Sequence, residues 1–403
     1  MCASQGWRGQ QLFAKGIFPM LRLICVLTCG SFMVAAATNL PQVPPEQVGL
    51  DASTLNKIDA ALSRAIDAGK TPGAVVLVLR DGKVAYRTAF GMRCVKPQAV
   101  PMTVDTLFDL ASLTKPLATA SSILKLVELG KLKLADRLAQ HRPSFGRHGK
   151  EVITIEQLLL HTSGLVADNP LAEYEGSRAE IFRRIDDLRP VATPGTKFIY
   201  SDVGYIVLGE LVEQLSGLPL ESFAARHFFG PLGMKDTAFR PVGAVLQRTA
   251  PTEPDDQGRF RPGQVHDPRA RKLGRDAGHA GLFGTADDLA RFAQMLLNGG
   301  ELHGQRVLAA ATVRLMTLPR PVPGGFRAYG WDVNTKYSTN RGQGFPAGTG
   351  YGHTGFTGTS LWIDPDSKMA VIVLSNRVHP DGKGNVTALR GEVATHAAMA
   401  RIK

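Results

Sequence analysis

Ser112-Leu113-Thr114-Lys115 sets a hydroxyl and an amine three residues apart, the spacing at which two side chains share one face of a helix. A lysine on that face, partly withdrawn from water and neutral, can take the hydroxyl proton and leave a nucleophilic serine. The same pattern recurs as Ser122-Ile123-Leu124-Lys125. Position separates the two. Phe108-Asp109-Leu110-Ala111 runs into a helix whose Pro116 is tolerated only near the first turn, which puts Ser112 at the helix start and Ser122 in its middle. At a helix start the backbone N–H is unpaired and the dipole is positive, so the end can stabilise an oxyanion and help depress a lysine one turn on. An N-cap serine beside a surface lysine accounts for the same residues, and on this motif alone the two readings stand level.

Two further groups carry chemistry. Tyr200-Ser201-Asp202 follows Pro194-Gly195 and opens the helical run Val203 to Leu215, which sets a phenol at a second helix mouth. His353-Thr354-Gly355 begins an apolar strand that turns at Gly358. A half-buried tyrosine beside an N-cap, and an edge strand with a chance histidine, are the plainer accounts of each taken alone. Other patterns fail on context. Gly350-Tyr351-Gly352-His353-Thr354-Gly355 has dinucleotide-fingerprint spacing but leads into a strand, where a phosphate cradle needs a helix N-terminus. No His-Glu-x-x-His or Cys-x-x-Cys occurs and the ten histidines are scattered, so no metal is expected. Gly-x-Ser-x-Gly is absent too, which argues against a nucleophile elbow.

The elements that must position these groups follow from periodicity. Leu55 to Ile66 has helical spacing. Ala74 to Arg80 and Lys83 to Phe90 flank Asp81-Gly82, a strong hairpin signal. From Leu113 to Phe145 and from Ile153 to Met234 apolar residues recur at three and four, and Ala286 to Leu297 adds another helix. Tyr329 to Val333, Gly352 to Thr357, Ser360 to Asp364 and Met369 to Ser375 read as strands, and Asn385 to Ile402 as a closing helix. Strands at both ends with helices between predict an α/β (α+β) fold in which the two ends form one sheet. The expected layout is a sheet lobe over residues 51–110 and 305–403, with a helical lobe inserted over residues 111–304.

Composition bounds the class. With 403 residues, 44% apolar and 20% charged, the chain is enzyme-sized and neither fibrous nor disordered. A net charge of +12 raises nucleic acid, anionic membrane surfaces and anionic polymers as partners. No basic stripe with interleaved aromatics appears, so nucleic acid is not expected and an anionic cell-wall or membrane surface is. Lys15 and Arg22 precede the apolar run Leu23 to Val34, and Ala35-Ala36-Ala37 supplies small residues for cleavage, so residues 1–37 read as an export signal and 38–50 as a linker. The chain is therefore expected to be periplasmic or secreted, an uncleaved signal acting as a tether being the alternative. Cys94 alone follows the signal, so no intramolecular disulfide is expected in the mature chain.

In this order and at these separations, Ser112-x-x-Lys115, Tyr200-Ser201-Asp202 and His353-Thr354-Gly355 resemble the serine β-lactamase and penicillin-binding-protein family, nearest its class C branch with DD-peptidases, D-aminopeptidases and esterases. Leu134-Ala135-Asp136, Ile155 to Leu165, Pro231-Leu232-Gly233-Met234 and Gly352 to Gly358 extend the likeness along the chain. Val265-His266-Asp267 with Ala277-Gly278-His279-Ala280-Gly281-Leu282-Phe283 further resembles a subgroup of penicillin-binding proteins with weak DD-carboxypeptidase activity. The resemblance implies a β-lactamase-like fold, an antiparallel sheet flanked by helices with a mostly helical inserted lobe. It implies Ser112 as the acylated nucleophile, Lys115 and Tyr200 sharing general acid and base work, and Asp202 positioning Lys115 and substrate. Ser112 and Phe356 N–H would form the oxyanion hole, with Thr354 and Gly355 along the substrate. No cofactor is implied.

Two positions depart from that pattern. Asp202 stands where Asn is commoner, and His353 where Lys opens a Lys-Thr-Gly triplet. An imidazole titrating near 6.5 is mostly neutral at pH 7 and should hold a carboxylate less well than Lys. An arginine from the segment Arg269 to Arg275 is the substitute anchor suggested by the basic run there. The reading is an exported serine acyl hydrolase on a small-molecule or peptidoglycan-derived substrate, foremost a DD-carboxypeptidase or D-peptide hydrolase. An esterase or amidase, a β-lactamase and a non-turnover penicillin-binding sensor are the alternatives.

Overall fold

The computed structural model describes residues 39–274 and 276–402; the expected export signal and Arg275 lie outside the described residues. Strands β1 (Gly73–Arg80) and β2 (Lys83–Cys94) form the hairpin read from Asp81-Gly82. Both turn residues have positive φ (50° and 77°), the conformation a two-residue turn matched to strand twist requires. Then come β3 (Val100–Pro101), and β4 (Phe108–Asp109) paired with β5 (Phe283–Gly284). A small hairpin follows from β6 (Glu301–Leu302) and β7 (Gln305–Arg306). The C-terminal part supplies β8 (Arg320–Val322), β9 (Gly325–Ala328), β10 (Trp331–Asn334), β11 (Tyr351–Thr354), β12 (Ser360–Asp364) and β13 (Met369–Ser375).

Nine strands make one antiparallel sheet in the order β3-β2-β1-β13-β12-β11-β10-β9-β8. The two ends of the chain meet where β1 pairs β13, Val76 opposite Val373. Both faces of these central strands are covered, so they read as apolar runs rather than as alternating ones. Ala74, Val76 and Val78 pack toward the helices Lys57–Asp67 and Thr387–Met399, while Val75, Leu77 and Leu79 join the larger core on the opposite face. That core continues into the helical segments between residues 111 and 297, including Asp202–Ser216 and Ala286–Leu297. The β-lactamase-like fold expected from the sequence is the one observed, an antiparallel sheet with helices against it.

Two readings shift in detail. The strand expected over Gly352 to Thr357 ends at Thr354, because Gly355 N–H turns to bond Thr359 O at 2.7 Å and Gly358 adopts φ 123°. The edge strand β8 and its neighbour β9 were not anticipated, since Pro321, Gly324 and Gly325 interrupt any alternation there.

Candidate active site

Ser112 sits in a short 3-10 turn, Ala111–Leu113, that leads into a π-helical turn Lys115–Ala120 and the helix Ser121–Glu128. Ala111 just before it has φ 46°, a left-handed conformation that costs a non-glycine residue about 1–3 kcal/mol. Asp109 holds that conformation, its carboxylate accepting from Ala111 N–H at 2.8 Å and from His266 N–H at 2.7 Å. Asp109 thereby ties the Ser112 turn to the Val265-His266-Asp267 segment. Ser122, the competing serine, is fully buried within the helix.

The end of β11 is clamped onto the same turn. A Cβ at Gly355 would lie 2.1 Å from Thr359 Oγ1 and 2.5 Å from Leu110 O, so only glycine permits this approach. Thr357 Oγ1 donates to Asp109 O at 2.6 Å, Thr359 Oγ1 to Leu110 O at 3.0 Å, and Arg390 Nη2 to Gly355 O at 2.6 Å. Ser112, Tyr200, His353, Thr354, Gly355 and Phe356 consequently line one cleft of about 370 Å³. Phe356 is 61% exposed at its lip, stacked on His266 with ring centroids 5.3 Å apart.

Lys115 is 0% exposed, and its Nζ reaches three oxygens: Ser112 Oγ at 3.1 Å, His279 O at 2.9 Å and Asp202 Oδ1 at 2.5 Å. Burial pushes the ammonium down, but the Asp202 charge and then Tyr200 outweigh it, so the amine is held above its ordinary value. This corrects the neutral-amine expectation. Asp202 cancels the desolvation that would otherwise neutralise Lys115. Tyr200 stands beside Lys115, whose Nζ is 4.9 Å from its ring centroid, and burial, only partly offset by Lys115, keeps its phenol above the usual range. The resting site thus holds a neutral serine and phenol against an ammonium–carboxylate pair.

Several further residues build this arrangement. His161, at φ 60°, accepts from Ser201 N–H at Nδ1 (3.0 Å) and stacks between Tyr200 and Tyr205, with centroids 4.4 and 4.9 Å away. It fixes the Tyr200 ring by packing. Ser201 caps the helix that carries Asp202, accepting from Gly204 N–H at 3.1 Å. A Cβ at Gly278 would meet Tyr205 O at 1.9 Å, and Gly278 O accepts from Thr119 Oγ1 at 2.6 Å, which places the next carbonyl, His279 O, on Lys115. His161 was visible in the sequence only as part of the family likeness, and nothing local marked it as the support of Tyr200.

His353 is neutral: burial, then the charges of Arg327 and Lys115, depress it well below an ordinary imidazole. Its Nδ1 donates to Thr354 O at 2.8 Å, since a carbonyl only accepts, which leaves Nε2 as the bare nitrogen. Of the arginines suggested as anchors, Arg275 lies outside the described residues, and Arg269 and Arg271 are engaged elsewhere. Arg269 donates from Nε and Nη2 to Asn169 O at 3.1 and 2.8 Å, Arg271 reaches Val265 O, and neither lines the cleft. The cleft instead contains Arg327, Arg377 and Arg390, none of which the sequence singled out. Asp202, Asp267 and His279 bring ligand-type atoms within 4.8 Å of one another. Asp202 is committed to Lys115, and Asp267 to His279 Nε2 at 2.9 Å, so these atoms already have partners and the group is not an open donor set.

Comparison with known proteins bears on this geometry. A family model described as Beta-lactamase matches residues 58–395. A provisionally named D-alanyl-D-alanine carboxypeptidase of Escherichia coli O157:H7 is 34% identical over 395 residues, covering 89% of this chain and 91% of the relative. Its counterpart in Escherichia coli (strain K12) is 33% identical over the same share. Among solved structures, EstCE1, a hydrolase with promiscuous acyltransferase activity, is 25% identical with a TM-score of 0.69, covering 85% of this chain and 99% of that one. A penicillin-binding protein homologue from Caulobacter crescentus shares the fold at 22% identity and a TM-score of 0.71, covering 88% and 99%.

Proposed function

The chain belongs to the β-lactamase family and is a serine hydrolase, and from that premise we propose that it is an exported D-alanyl-D-alanine carboxypeptidase or D-peptide hydrolase acting through an acyl-enzyme on Ser112. The observation that carries the proposal is the contact of Ser112 Oγ with Lys115 Nζ at 3.1 Å in a cleft shared with Tyr200 and Gly355. The names of the relatives at 33–34% identity supply the substrate class. The basic charge of the chain suits an anionic cell-wall surface, and among the described residues no helix is long and apolar enough to cross a membrane.

With Lys115 charged, the proton path runs through Tyr200. Ser112 Oγ attacks the carbonyl carbon and passes its proton to the Tyr200 oxygen, while Tyr200 delivers its own proton to the leaving amine as the C–N bond breaks. The Tyr200 proton leads this relay, and the Lys115 ammonium stabilises the phenolate character on the Tyr200 oxygen until the Ser112 proton replaces it. Deacylation repeats the path with water as attacker and Ser112 Oγ as leaving group. The Ser112 and Phe356 N–H groups receive the oxyanion in both steps.

Release of D-alanine from a peptide ending in D-alanyl-D-alanine is the test. Turnover that Ser112→Ala abolishes supports the reading, and turnover of a p-nitrophenyl ester without any D-alanine release favours a second reading as an esterase. The 25% identity to EstCE1 and the exposed Phe356 at the cleft mouth are the observations behind that alternative.

A further inference from the structure

Arg327 on β9 is 0% exposed and faces the cleft beside His353. Its Nη1 donates to Asp332 Oδ1 at 3.1 Å, and Asp332 also accepts from Thr335 Oγ1 at 2.7 Å and from Ser338 Oγ. Nε and Nη2 find no acceptor among the described residues. Those two N–H groups lie on the same edge of the guanidinium, the fork that pairs with both oxygens of a carboxylate. Leaving charged donors buried and unpaired is costly, so the fork is a site built for an anion.

The rest of the cleft narrows the choice. Asp332 is the one acidic residue of its lining and is already committed to Arg327. Arg377 donates to Phe356 O and Gly384 O, and Arg390 to Gly355 O, so both brace main chain next to Ser112. His353 offers a bare Nε2, which accepts and cannot hold a carboxylate. We propose that Arg327 is the specificity-determining residue of this site and takes the free carboxylate of the substrate's leaving group on its Nε–Nη2 edge.

The fork is screened by a cluster of rings. The guanidinium carbon is 5.5 Å from the Phe198 ring centroid, and Tyr337 packs on Phe198 and Tyr200 at 6.1 and 5.3 Å. Tyr337 is the exposed member at 38% and lines the same cleft as Arg327. The substrate class that follows is an acyl donor whose leaving group carries a carboxylate, such as a C-terminal D-amino acid, in preference to a neutral amide or ester.

This inference rests on the acyl-enzyme reading, and the experiment separates the two. A peptide ending in D-alanyl-D-alanine, its C-terminal amide and a p-nitrophenyl ester are compared as substrates for wild type, Arg327→Gln and Arg327→Lys. The ratio of kcat/KM for acid over amide is expected to be roughly 10 to 100 in wild type, to fall to about 1 in Arg327→Gln and to recover in part in Arg327→Lys. An acid preference that survives in Arg327→Gln, or is absent from the wild type, overturns the anchor while Ser112-dependent ester turnover leaves the acyl-enzyme reading intact. Loss of all Ser112-dependent turnover in wild type overturns both. Should the variants not fold, inhibition of wild-type ester hydrolysis decides: N-acetyl-D-alanine is expected to compete at least about tenfold better than its amide, and equal inhibition refutes the anchor.

Discussion

Asp202 Oδ1 stands 2.5 Å from Lys115 Nζ in a site where the lysine is wholly buried, and this pair sets the charge next to Ser112 and Tyr200. A buried ammonium without a partner would lose its proton. Opposed by Asp202 it keeps it, so Lys115 acts on Tyr200 and Ser112 as a fixed positive charge. The pH range in which the site can lose a proton should be set by this carboxylate.

Replacing Asp202 with Asn removes the leading charge that opposes burial. Lys115 should then deprotonate more readily, and the alkaline limb, on which acylation by a penicillin falls as the ammonium is lost, is expected to move to lower pH by at least about 1 unit. A stopped-flow pH profile of Asp202→Asn against wild type measures this. An unchanged profile would mean that Lys115 does not govern the step.

Gly355→Ala should separate the strand from the nucleophile. Its Cβ has no space against Leu110 O and Thr359 Oγ1, so the turn must move away from Ser112. A displacement of that order costs roughly 100-fold in acylation rate. Acylation within about threefold of wild type would show that the clamp is not needed for catalysis.

Ala111→Gly relieves the left-handed residue before Ser112. The expected gain is about 1 kcal/mol, read as a thermal midpoint raised by roughly 1–3 °C. A lowered midpoint would place the strain elsewhere.

Acid should destabilise the fold through His161 and His353, both depressed chiefly by burial. Above about pH 6.5 both residues are neutral whether folded or unfolded, and they cost nothing. As pH falls below that value the unfolded chain binds protons that the folded chain refuses, so stability drops toward a slope of about 1.4 kcal/mol per pH unit for each histidine. Urea unfolding between pH 7.5 and 5.5 should show the loss, and His161→Gln should reduce its slope by about half. Stability independent of pH over this range would contradict the burial of both rings.

The legible parts of this chain were those whose chemistry is local. Asp81-Gly82 announced its hairpin because both residues tolerate positive φ. Pro116 separated Ser112 from Ser122 because a proline has few places in a helix. Ser360–Asp364 and Met369–Ser375 were read to the residue because each is a short apolar run closed by a polar residue. Arg327 was hidden because its meaning depends on Asp332 across a hairpin turn and on His353 two strands away. The basic run around Arg269 drew attention by density, yet Asn169 O satisfies Arg269. Charge density in sequence carries no information on which cation is left unpaired. The protonation of Lys115 was misread for a related reason, since its partner Asp202 is 87 residues away in the chain and nothing in Ser112-x-x-Lys115 encodes their contact.

The central claim is that Ser112 becomes covalently acylated. Intact mass of the protein after incubation with a penicillin, beside Ser112→Ala treated identically, tests it most directly. The account predicts a mass increase equal to one penicillin in the wild type and none in the variant, with the adduct mapped to the peptide containing Ser112. An adduct of the same size on Ser112→Ala would contradict it.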